Sequence, residues 1–473
     1  MGCELWVMGY VHKNLQPTTH NLQPTTLTML PPPFLSQMRD QLGAELPAFV
    51  EAMAAPPPVS IRWNPFKKIK LEENLDGVKW HNNGVYLSER PSFTLDPRFH
   101  AGAYYVQEAS SMLIAAAVRQ LTDLTTPLRA LDLCAAPGGK STLLADVLPE
   151  GSFLLCNEVI RQRYQVLQYN LAKWGTAHTH LSQHDSADFG GLEGFFDLVL
   201  LDAPCSGEGM FRKDPEAIGE WSPEQVAHNA ARQRRIIAAA APLLRPGGIL
   251  LYSTCTYNDA ENSDNVAWMC KELDMEFVPL DFPADWQIAA RPMGYQCYPH
   301  RVRGEGLFLA GLRRSGGQPH QGKARGYKKL APLPKAQQAI LNAWLANPDQ
   351  YAYWTTPDGT VRAVSADQLT DSQLVDNALK NWATGFEVGE IKGKDFIPSP
   401  ALAFSLALSP QIPQAPLDTA EAMRFLRKED LRLSPIPQGI RLATYESLGL
   451  GWFKGLPNRI NNYYPVQWRV MMG

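Results

Sequence analysis

The sequence predicts an α/β protein with a doubly wound parallel sheet at its centre, a small α+β domain before the sheet and small mixed or β-rich domains after it. Two observations lead to this prediction. Between residues 130 and 255, five short apolar runs alternate with helical stretches, as in βαβ units with helices on both faces of a parallel sheet. Outside this region the alternation is absent and proline-rich breaks occur. Because crossover connections are right-handed, the units wind into one open sheet.

Each element follows from a local pattern. The predicted strands are 130–134, 153–158, 178–185, 196–204 and 248–255, with helices at 140–148, 161–174 and 223–244. Residues 34–54 have apolar side chains at helical spacing and predict one or two amphipathic helices, and strand-like segments follow at 59–63 and 84–87. We therefore expect an N-terminal domain at 29–100, a core at 101–314, a linker at 315–334 and C-terminal domains at 335–473.

The first 28 residues differ from the rest. They repeat Asn-Leu-Gln-Pro-Thr-Thr and contain no apolar core of the kind that a signal peptide needs. We expect a disordered or non-native extension, with Met29 as the natural start.

Composition narrows the possible functions. The 473 residues include 44 Lys and Arg against 47 Asp and Glu, a net charge of −3. From Ala310 onward the balance is 19 − 13 = +6, and before it 25 − 34 = −9, so the C-terminal third is the basic part. No apolar run approaches a membrane span. Seven cysteines without a CxxC pair argue against a disulfide framework and a zinc site, so we expect a cytoplasmic protein that binds neither membrane nor metal.

A candidate cofactor site follows the first predicted strand. There the chain continues into Ala135-Ala-Pro-Gly-Gly-Lys140, where glycines allow close approach of a ligand and a helix N-terminus offers free N–H groups. The phosphate-binding patterns G-x-G-x-x-G and G-x-x-x-x-G-K-[ST] are absent, which argues against NAD, FAD and Walker-type ATP sites. Glu158 ends the second strand, where a carboxylate binds ribose hydroxyls, and Asp185 ends the third, close to an adenine amino group. A nucleoside ligand without a pyrophosphate fits, and S-adenosylmethionine is the common one. The expected cofactor residues are Cys134, Ala135, Ala136, Pro137, Gly138, Gly139, Lys140, Glu158, Asp185 and Asp202.

Two cysteines follow the fourth and fifth predicted strands. Asp202-Ala-Pro-Cys205 ends the fourth strand and Ser253-Thr-Cys255 ends the fifth. Neighbouring strands lie ~4.8 Å apart, so Asp202, Cys205 and Cys255 share one cleft if these strands are adjacent. A lone cysteine at a strand end is most often a small packed side chain. Two of them beside an aspartate and a cofactor loop favour a catalytic site.

These motifs resemble those of the RNA (cytosine-5) methyltransferases of the Nol/Nop/Sun family, and within it the bacterial 16S ribosomal RNA enzymes of the RsmF type. The matching segments are Tyr105-Val-Gln-Glu-Ala-Ser-Ser-Met112, Cys134-Ala-Ala-Pro-Gly-Gly-Lys140, Asp202-Ala-Pro-Cys-Ser-Gly207, Phe211-Arg-Lys-Asp-Pro215 and Tyr252-Ser-Thr-Cys-Thr256. A looser likeness extends to 61–64 and to a small RNA-binding module at 449–469. The resemblance implies a Rossmann-like class I methyltransferase core.

The resemblance also implies a reaction. C5 of cytosine is too electron-poor to attack a methyl donor, but a thiolate added at C6 turns C5 into an enamine-like nucleophile. The family places this nucleophile in the Thr-Cys motif, here Cys255, and assigns help in its release to the Pro-Cys cysteine, here Cys205. Asp202 then serves as the general acid near N3. A rival assignment, by analogy with DNA cytosine-5 methyltransferases, makes Cys205 the nucleophile.

The expected partner is 16S ribosomal RNA, free or within the 30S subunit, bound by a monomer. The target base must be unpaired or flipped out of a helix. Expected RNA contacts are Arg62, Arg212 and Lys213, and a second basic group, at 323–329, is a further candidate. A transfer RNA substrate and a non-enzymatic ribosome assembly factor that binds RNA are the alternatives.

Overall fold

Four β-sheets organise the part of the chain that the structure describes. The computed structural model describes residues 30–69, 75–393 and 395–471, so the extension predicted at 1–28 lies outside the described residues. Within those three ranges no helix combines the length and the apolar character needed to cross a bilayer.

The N-terminal region is a helical pair followed by a small antiparallel sheet. Helices α1 (Pro32–Leu42) and α2 (Leu46–Ala54) confirm the helices predicted at 34–54. The sheet has the order β2-β3-β1-β4 and consists of β1 (Val59–Trp63), β2 (Asp76–Gly77), β3 (Gly84–Leu87) and β4 (Tyr104–Val106), with α3 (Pro97–His100) before its last strand. Because β4 lies beyond residue 100, this sheet extends past the predicted domain boundary.

The central sheet confirms the doubly wound core. Its parallel part has the order β9-β8-β5-β6-β7 and consists of β5 (Arg129–Asp132), β6 (Phe153–Asn157), β7 (Thr179–Ser182), β8 (Phe196–Asp202) and β9 (Leu244–Thr254). Antiparallel strands extend it beyond β9: β10 (Met275–Val278), β11 (Ala289–Arg291), β12 (Gly294–Cys297) and β13 (Leu307–Arg314).

Helices cover both faces of this sheet. They are α4 (Leu113–Leu121), α5 (Gly139–Val147), α6 (Arg161–Trp174), α8 (Pro223–Ala240) and α9 (Ser263–Glu272). The short helix α7 (Pro215–Glu220) packs instead with α1 and α2. Side chains of α4, α5 and α6 pack in one apolar cluster with Ala130, and those of α8 and α9 pack in a second cluster with Leu131. Adjacent residues of β5 thus point to opposite faces, as alternation in a strand requires.

The C-terminal third contains two further sheets. The first has the order β14-β15-β16-β18-β19, and the second has the order β20-β21-β22-β23. The elements are β14 (Ala331–Pro332), α10 (Lys335–Leu341), β15 (Tyr351–Thr355), β16 (Thr360–Ser365), α11 (Leu369–Ala378), β17 (Trp382–Ala383), β18 (Phe386–Lys392), β19 (Asp395–Pro398), β20 (Gln414–Pro416), α12 (Thr419–Arg427), β21 (Gly439–Tyr445), β22 (Leu448–Leu456) and β23 (Arg459–Asn462).

The C-terminal third is not separated from the core, in contrast to the division predicted at 315–334. Strand β17 pairs antiparallel with β7 and forms the outer edge of the central sheet. Leu374, Val375 and Leu379 pack into the apolar cluster beneath that sheet. The reason is that β7 would otherwise be an open edge with unpaired N–H and C=O groups. Composition gave no sign of this pairing, because a two-residue strand has no periodicity.

The two ends of the chain also share a core. Ile61 and Val85 of the N-terminal sheet lie in one apolar cluster with Phe425 of α12 and Phe453 of β22. Helices α1 and α2 instead pack on the loops that follow β8 and β9. Phe34 lies edge-on to Phe211 with ring centroids 5.1 Å apart. The N-terminal region therefore supports the central sheet at the end where its parallel strands terminate.

Candidate active site

The loop between β5 and α5 forms the first wall of the site. Gly138 has φ +116, a conformation that L side chains rarely adopt, and it is the N-cap of α5 without any side-chain cap. Several hydrogen bonds fasten the loop to its neighbours. Among them, Ala135 N–H donates to Asn157 O at 2.8 Å, Arg163 Nη2 to Ala136 O at 2.7 Å, and Asn170 Nδ2 to Pro137 O at 2.9 Å. The predicted cofactor loop, 134–140, is thus held with its helix N-terminus directed to the end of the sheet.

Glu158 lies at the end of β6 and is 3% exposed. Its Oε1 accepts from Ile160 N–H at 2.8 Å, and its Oε2 lies 3.5 Å from Arg163 Nη1. A carboxylate buried at a strand end with an incompletely bonded oxygen fits the hydroxyl donors of a ribose. Val159 and Ile160, 47% and 42% exposed, add apolar surface beside it that the sequence analysis missed. These residues therefore fit the nucleoside part of S-adenosylmethionine.

Asp185 follows β7 and is more open than Glu158. Its side chain, 39% exposed, accepts from Ala187 N–H at 3.1 Å and pairs with Arg235 Nη1 at 2.9 Å. The hydrogen bond from Arg235 lowers the pKa of this carboxyl group, so Asp185 is an anion near neutral pH. It follows β7, the strand adjacent to β6, and therefore lies at the same end of the sheet as Glu158.

The two predicted cysteines meet at the ends of β8 and β9. These strands are adjacent and parallel, with Asp202 opposite Ser253. The sulfur atoms of Cys205 and Cys255 are 3.1 Å apart, and the Cys255 N–H donates to Cys205 Sγ at 3.3 Å. Both side chains are half-buried. The condition stated from sequence, that the two strands be neighbours, is met.

The contact makes the two thiols unequal. A hydrogen bond from the Cys205 thiol lowers the pKa of Cys255, and the positive charge of Lys140 acts in the same direction. The same hydrogen bond, together with burial, raises the pKa of Cys205 well above its ordinary value. Cys255 is thereby favoured as the thiolate and Cys205 as the proton donor.

Asp202 joins the cofactor loop to the cysteine cleft. Its Oδ2 lies 2.8 Å from Lys140 Nζ, and its Oδ1 accepts from Ser253 Oγ at 2.8 Å. Its side chain is 30% exposed, so it is accessible to a ligand. The arrangement brings together Lys140, Asp202 and Cys255 from three separate segments.

A buried polar network fixes the two cysteine loops to each other, and the sequence analysis missed it. The residues that follow the cysteines touch, since Ser206 Oγ and Thr256 Oγ1 are 2.8 Å apart. Glu261, fully buried, accepts from Ser206 N–H at 3.0 Å and from Asn258 Nδ2 at 2.8 Å. Glu208, also buried, accepts from Tyr257 N–H at 2.9 Å.

One glycine allows the loops to approach. A Cβ at Gly209 would lie 2.9 Å from the carbonyl oxygen of Cys255 and equally close to the backbone of Gly306. The signal in the sequence was the run Gly207-Glu208-Gly209, an acid between two glycines in a loop that packs against backbone. Such close approach and the buried carboxylates hold the sulfur atoms at their short separation.

The structure corrects two of the three expected RNA contacts. Arg62 is fully buried: it pairs with Asp146, donates to Gln107 and Thr142, and stacks on Trp174. Arg212 is 6% exposed and pairs with Glu305 at 2.9 Å. Both side chains hold elements together and are closed to a surface ligand, which the sequence cannot reveal because arginine is usually exposed. Lys213 is 25% exposed, and its ammonium lies 3.6 Å from Glu305.

Of the three histidines at 178, 180 and 184, His180 serves packing. His180 stacks on Phe153 with centroids 4.2 Å apart and bonds to Gln368, and burial lowers its pKa to about 3. Among the residues that the structure describes, no group of three or more His, Cys, Asp or Glu side chains is arranged to hold a metal ion.

Comparisons with known proteins cover most of the chain. Family models match at three places: "16S rRNA methyltransferase RsmB/F" at 121–313, "N-terminal domain of 16S rRNA methyltransferase RsmF" at 30–109, and "Methyltransferase RsmF PUA domain" at 413–470. The first range contains the cofactor loop and both cysteines.

Curated relatives and solved structures agree with these matches. Proteins named "Ribosomal RNA small subunit methyltransferase F" from Salmonella agona (strain SL483) and Salmonella heidelberg (strain SL476) are 32% identical over 468 and 467 residues, and the alignments span 92% of this chain and 95% of each relative. A methyltransferase homolog protein from Pyrococcus horikoshii superposes with a TM-score of 0.52 at 27% identity, covering 62% of this chain and 99% of that one. NSun6 from Pyrococcus horikoshii, solved with SFG, shares the fold, with a TM-score of 0.51 at 20% identity over 62% of this chain and all of the other.

Proposed function

The chain belongs to the RsmF family of 16S ribosomal RNA methyltransferases, and from this premise we propose that it methylates C5 of a cytosine in 16S ribosomal RNA through a covalent bond to Cys255. The observation that carries the proposal is the 3.1 Å contact between Cys205 and Cys255 at the ends of two adjacent parallel strands, beside Asp202. A single nucleophilic cysteine would not need a second thiol at this distance.

Cys255 is the attacking group. Its sulfur forms a bond to C6 of the cytosine, and the electron pair of the C5–C6 double bond moves toward N3 and O2, which leaves C5 nucleophilic. The hydrogen bond from Cys205 and the charge of Lys140 favour the thiolate that this step needs. Asp202, anchored by Ser253 and Lys140, is the proposed general acid. It takes a proton from solvent before the attack, passes it to N3 as the adduct forms, and remains as a carboxylate beside the protonated ring.

Cys205 acts in release. After C5 has been methylated, its proton must leave and the bond between Cys255 Sγ and C6 must break, which restores the C5–C6 double bond. Cys205 lies next to the departing sulfur and has a thiol whose proton is strongly held. The C5 proton passes to water as the base, and the Cys255 sulfur leaves as a thiolate with the electron pair of its bond to C6. The Cys205 thiol donates a hydrogen bond to this departing thiolate, which restores the resting pair.

The cofactor residues fit S-adenosylmethionine. Glu158 supplies a buried acceptor for the ribose, Asp185 an anionic acceptor at the adenine end, and the 134–140 loop backbone N–H groups for the carboxylate of the amino acid part. When bound, S-adenosylmethionine provides the electrophilic methyl group. Lys140 and Asp202 connect this pocket to the cysteine cleft.

The substrate must present an unpaired or flipped cytosine, because C5 and C6 are inaccessible in a stacked helix. We propose that a monomer acts on 16S ribosomal RNA free or within the 30S subunit, and that it works in the cytoplasm, since two thiols 3.1 Å apart need reducing conditions to stay apart. Lys213 is partly exposed beside the loop that carries Cys205, and of the three RNA contacts predicted from the sequence it is the one that we propose.

Bisulfite sequencing of ribosomal and transfer RNA from a strain that lacks the gene tests this proposal. We expect one or more 5-methylcytosines of 16S ribosomal RNA to disappear and to return when the intact gene is supplied, but not when the Cys255→Ala gene is supplied. If 5-methylcytosine disappeared only from transfer RNA, the substrate would be transfer RNA and not 16S ribosomal RNA. Unchanged methylation of both RNA classes, together with no tritium transfer by the purified protein, would favour the assembly factor.

A further inference from the structure

A basic surface lies where the C-terminal third joins the central sheet. It consists of Lys323, Arg325, Lys328, Lys329 and Lys380, here called the linker cluster. All five side chains are exposed, and none of the five forms an ion pair with another residue that the structure describes. The surface therefore presents five positive charges to solvent.

The cluster is built on the C-terminal end of α11. Lys328 Nζ donates to Asn377 O at 2.9 Å, Lys329 Nζ lies 3.4 Å from Lys380 O, and Asn377 Nδ2 donates to Lys323 O at 3.3 Å. The extended chain before β14 is thus fastened along the helix end. Cations also interact favourably with the negative end of a helix dipole, which keeps them grouped.

One carboxylate lies within this group, and it is already bonded. Asp376 is 8% exposed and accepts from Lys328 N–H at 2.7 Å and from Trp382 Nε1 at 3.0 Å. Its oxygens serve to hold the linker and β17 in place. The outward charge of the cluster is positive, and the exposed carboxylates of the adjacent loop, Asp185 and Asp188, pair with Arg235 and His184.

Lys380, with Lys328 and Lys329 bonded beside it, lies at the end of the central sheet where the parallel strands terminate, as the candidate active site does. Helix α11 starts at the opposite end of the sheet, where the parallel strands begin. This is shown by Asp371 in its first turn, which pairs with Arg129, the first residue of β5, at 2.9 Å. After α11 ends, Asn381 donates its N–H to His184 Nε2 at 3.0 Å and accepts from Gln183 N–H at 3.0 Å. Lys380 is therefore next to the loop that carries Asp185.

The distance suits a large ligand. Five strand spacings separate β9, which ends at the nucleophile, from β17 in the order β9-β8-β5-β6-β7-β17. At ~4.8 Å per spacing the cluster lies about 24 Å across the edge from Cys255. A small substrate cannot reach both places, whereas a folded RNA can.

We propose that the linker cluster binds the phosphate backbone of the substrate RNA on the cofactor side of the cleft. The proposal rests on the proposed function, because it takes RNA as the partner. Charge supports a polyanion, and none of the exposed large apolar side chains among the described residues lies between 315 and 380. Protein and membrane docking usually require such apolar anchors.

The test compares two triple variants of the full chain. One is Lys328→Ala/Lys329→Ala/Lys380→Ala in the linker cluster. The control is Arg245→Ala/Lys271→Ala/Arg313→Ala, which removes three positive charges from exposed side chains at the opposite end of the sheet, where β9 begins and α9 ends. Unlike the cluster lysines, Arg245 and Lys271 are ion-paired, with Asp197 and Glu272. The dissociation constant for 16S ribosomal RNA transcripts is measured between 50 and 200 mM salt.

We expect the linker variant to lose salt dependence. Each phosphate contact contributes roughly 0.7–0.9 to the slope of log affinity against log salt, so three lost contacts lower the slope by about 2–3. Over this fourfold range the wild type should lose about 20–40 times more affinity than the linker variant. The control should keep the wild-type slope, and a Lys→Arg version of the linker triple should restore it.

Other outcomes overturn the inference. An unchanged slope in the linker variant, or an equal loss in the control, means that the cluster is only a solvated surface. Loss of binding to anionic vesicles with unchanged RNA binding assigns it to a membrane instead. If alanine lowers the melting temperature, Lys→Gln at the same positions, which keeps a hydrogen-bond donor, replaces it. Binding of S-adenosylmethionine by calorimetry should be equal in all variants, and failure of wild-type protein to methylate any RNA would sink the proposed function while leaving the salt result interpretable.

Discussion

Replacing Cys205 by alanine should trap the protein on its RNA, and replacing Cys255 should not. The variant Cys205→Ala keeps the nucleophile but removes the thiol that lies 3.1 Å from it. General acid–base assistance contributes roughly 10²–10⁴-fold to a step, so release should slow by that factor. If attack and release have similar rates in the wild type, a 100-fold slower release leaves about 99% of the bound protein as adduct.

The same variant should also weaken attack in a predictable way. The hydrogen bond from Cys205 lowers the pKa of Cys255, so its removal raises that pKa and reduces the thiolate fraction at neutral pH. Alkylation of Cys255 by iodoacetamide should therefore be slower in Cys205→Ala than in the wild type at pH 7 and should become similar at alkaline pH. Adduct formation is thus slower, and the adduct predominates as long as release slows by a larger factor than attack.

The assay is a denaturing gel with labelled target RNA and S-adenosylmethionine. Cys205→Ala should give a shifted band that protease removes, with one methyl group transferred per protein. Cys255→Ala should give neither shift nor methylation, and Cys270→Ala, at a half-buried cysteine outside the cleft, is the matched control with wild-type behaviour. A shifted band from Cys255→Ala and none from Cys205→Ala would reverse the two roles and refute the reasoning.

Four further perturbations test the rest of the site and the fold. Glu158→Ala should weaken binding of S-adenosylmethionine by ~1–3 kcal/mol through lost charge-assisted hydrogen bonds; calorimetry measures it, and equal affinity removes Glu158 from the pocket. Glu261→Gln should lower kcat with little change in KM for RNA, because an amide nitrogen would face the Ser206 and Gln233 donors; a change in KM alone would contradict its role in positioning Cys205. Asp132 is buried with one oxygen unbonded, and burial raises its pKa to about 7. Between pH 4 and 7 the folded protein therefore binds one more proton than the unfolded protein, and its free energy of unfolding falls as the pH rises. In urea titrations, Asp132→Asn should be more stable than the wild type at pH 8, by at most about 4 kcal/mol, but not at pH 4. Truncation after residue 314 removes three buried side chains of α11 and its end, at roughly 1.5–3 kcal/mol each, so the isolated core should melt earlier; equal melting temperatures would mean that α11 and β17 are dispensable.

The sequence by itself determined the central sheet. The spacing of apolar residues along the chain is a local property, and it distinguishes strands from the helices between them. Accordingly, α6 has its predicted range, 161–174, and β1 has its predicted range, 59–63. Cysteines at two strand ends could be assigned to one cleft because parallel strands end at one edge. The same argument predicted that the 134–140 loop, Glu158 and Asp185 follow neighbouring strands at this end of the sheet, and the structure places them there.

Only the tertiary structure decided how polar side chains are used. Arg62 and Arg212 are of a residue type that is usually exposed, but both lie in buried ion pairs. Whether an arginine is buried depends on whether a residue distant in the sequence supplies a carboxylate beside it. The buried polar network of Glu208 and Glu261 joins two loops that are about 50 residues apart in the sequence, and no local sequence pattern extends over that separation. The pairing of β17 with β7 also joins residues that are distant in the sequence. Which strand β17 pairs with depends on which strand is left at the edge of the folded sheet, whereas the local sequence specifies only the periodicity of each strand.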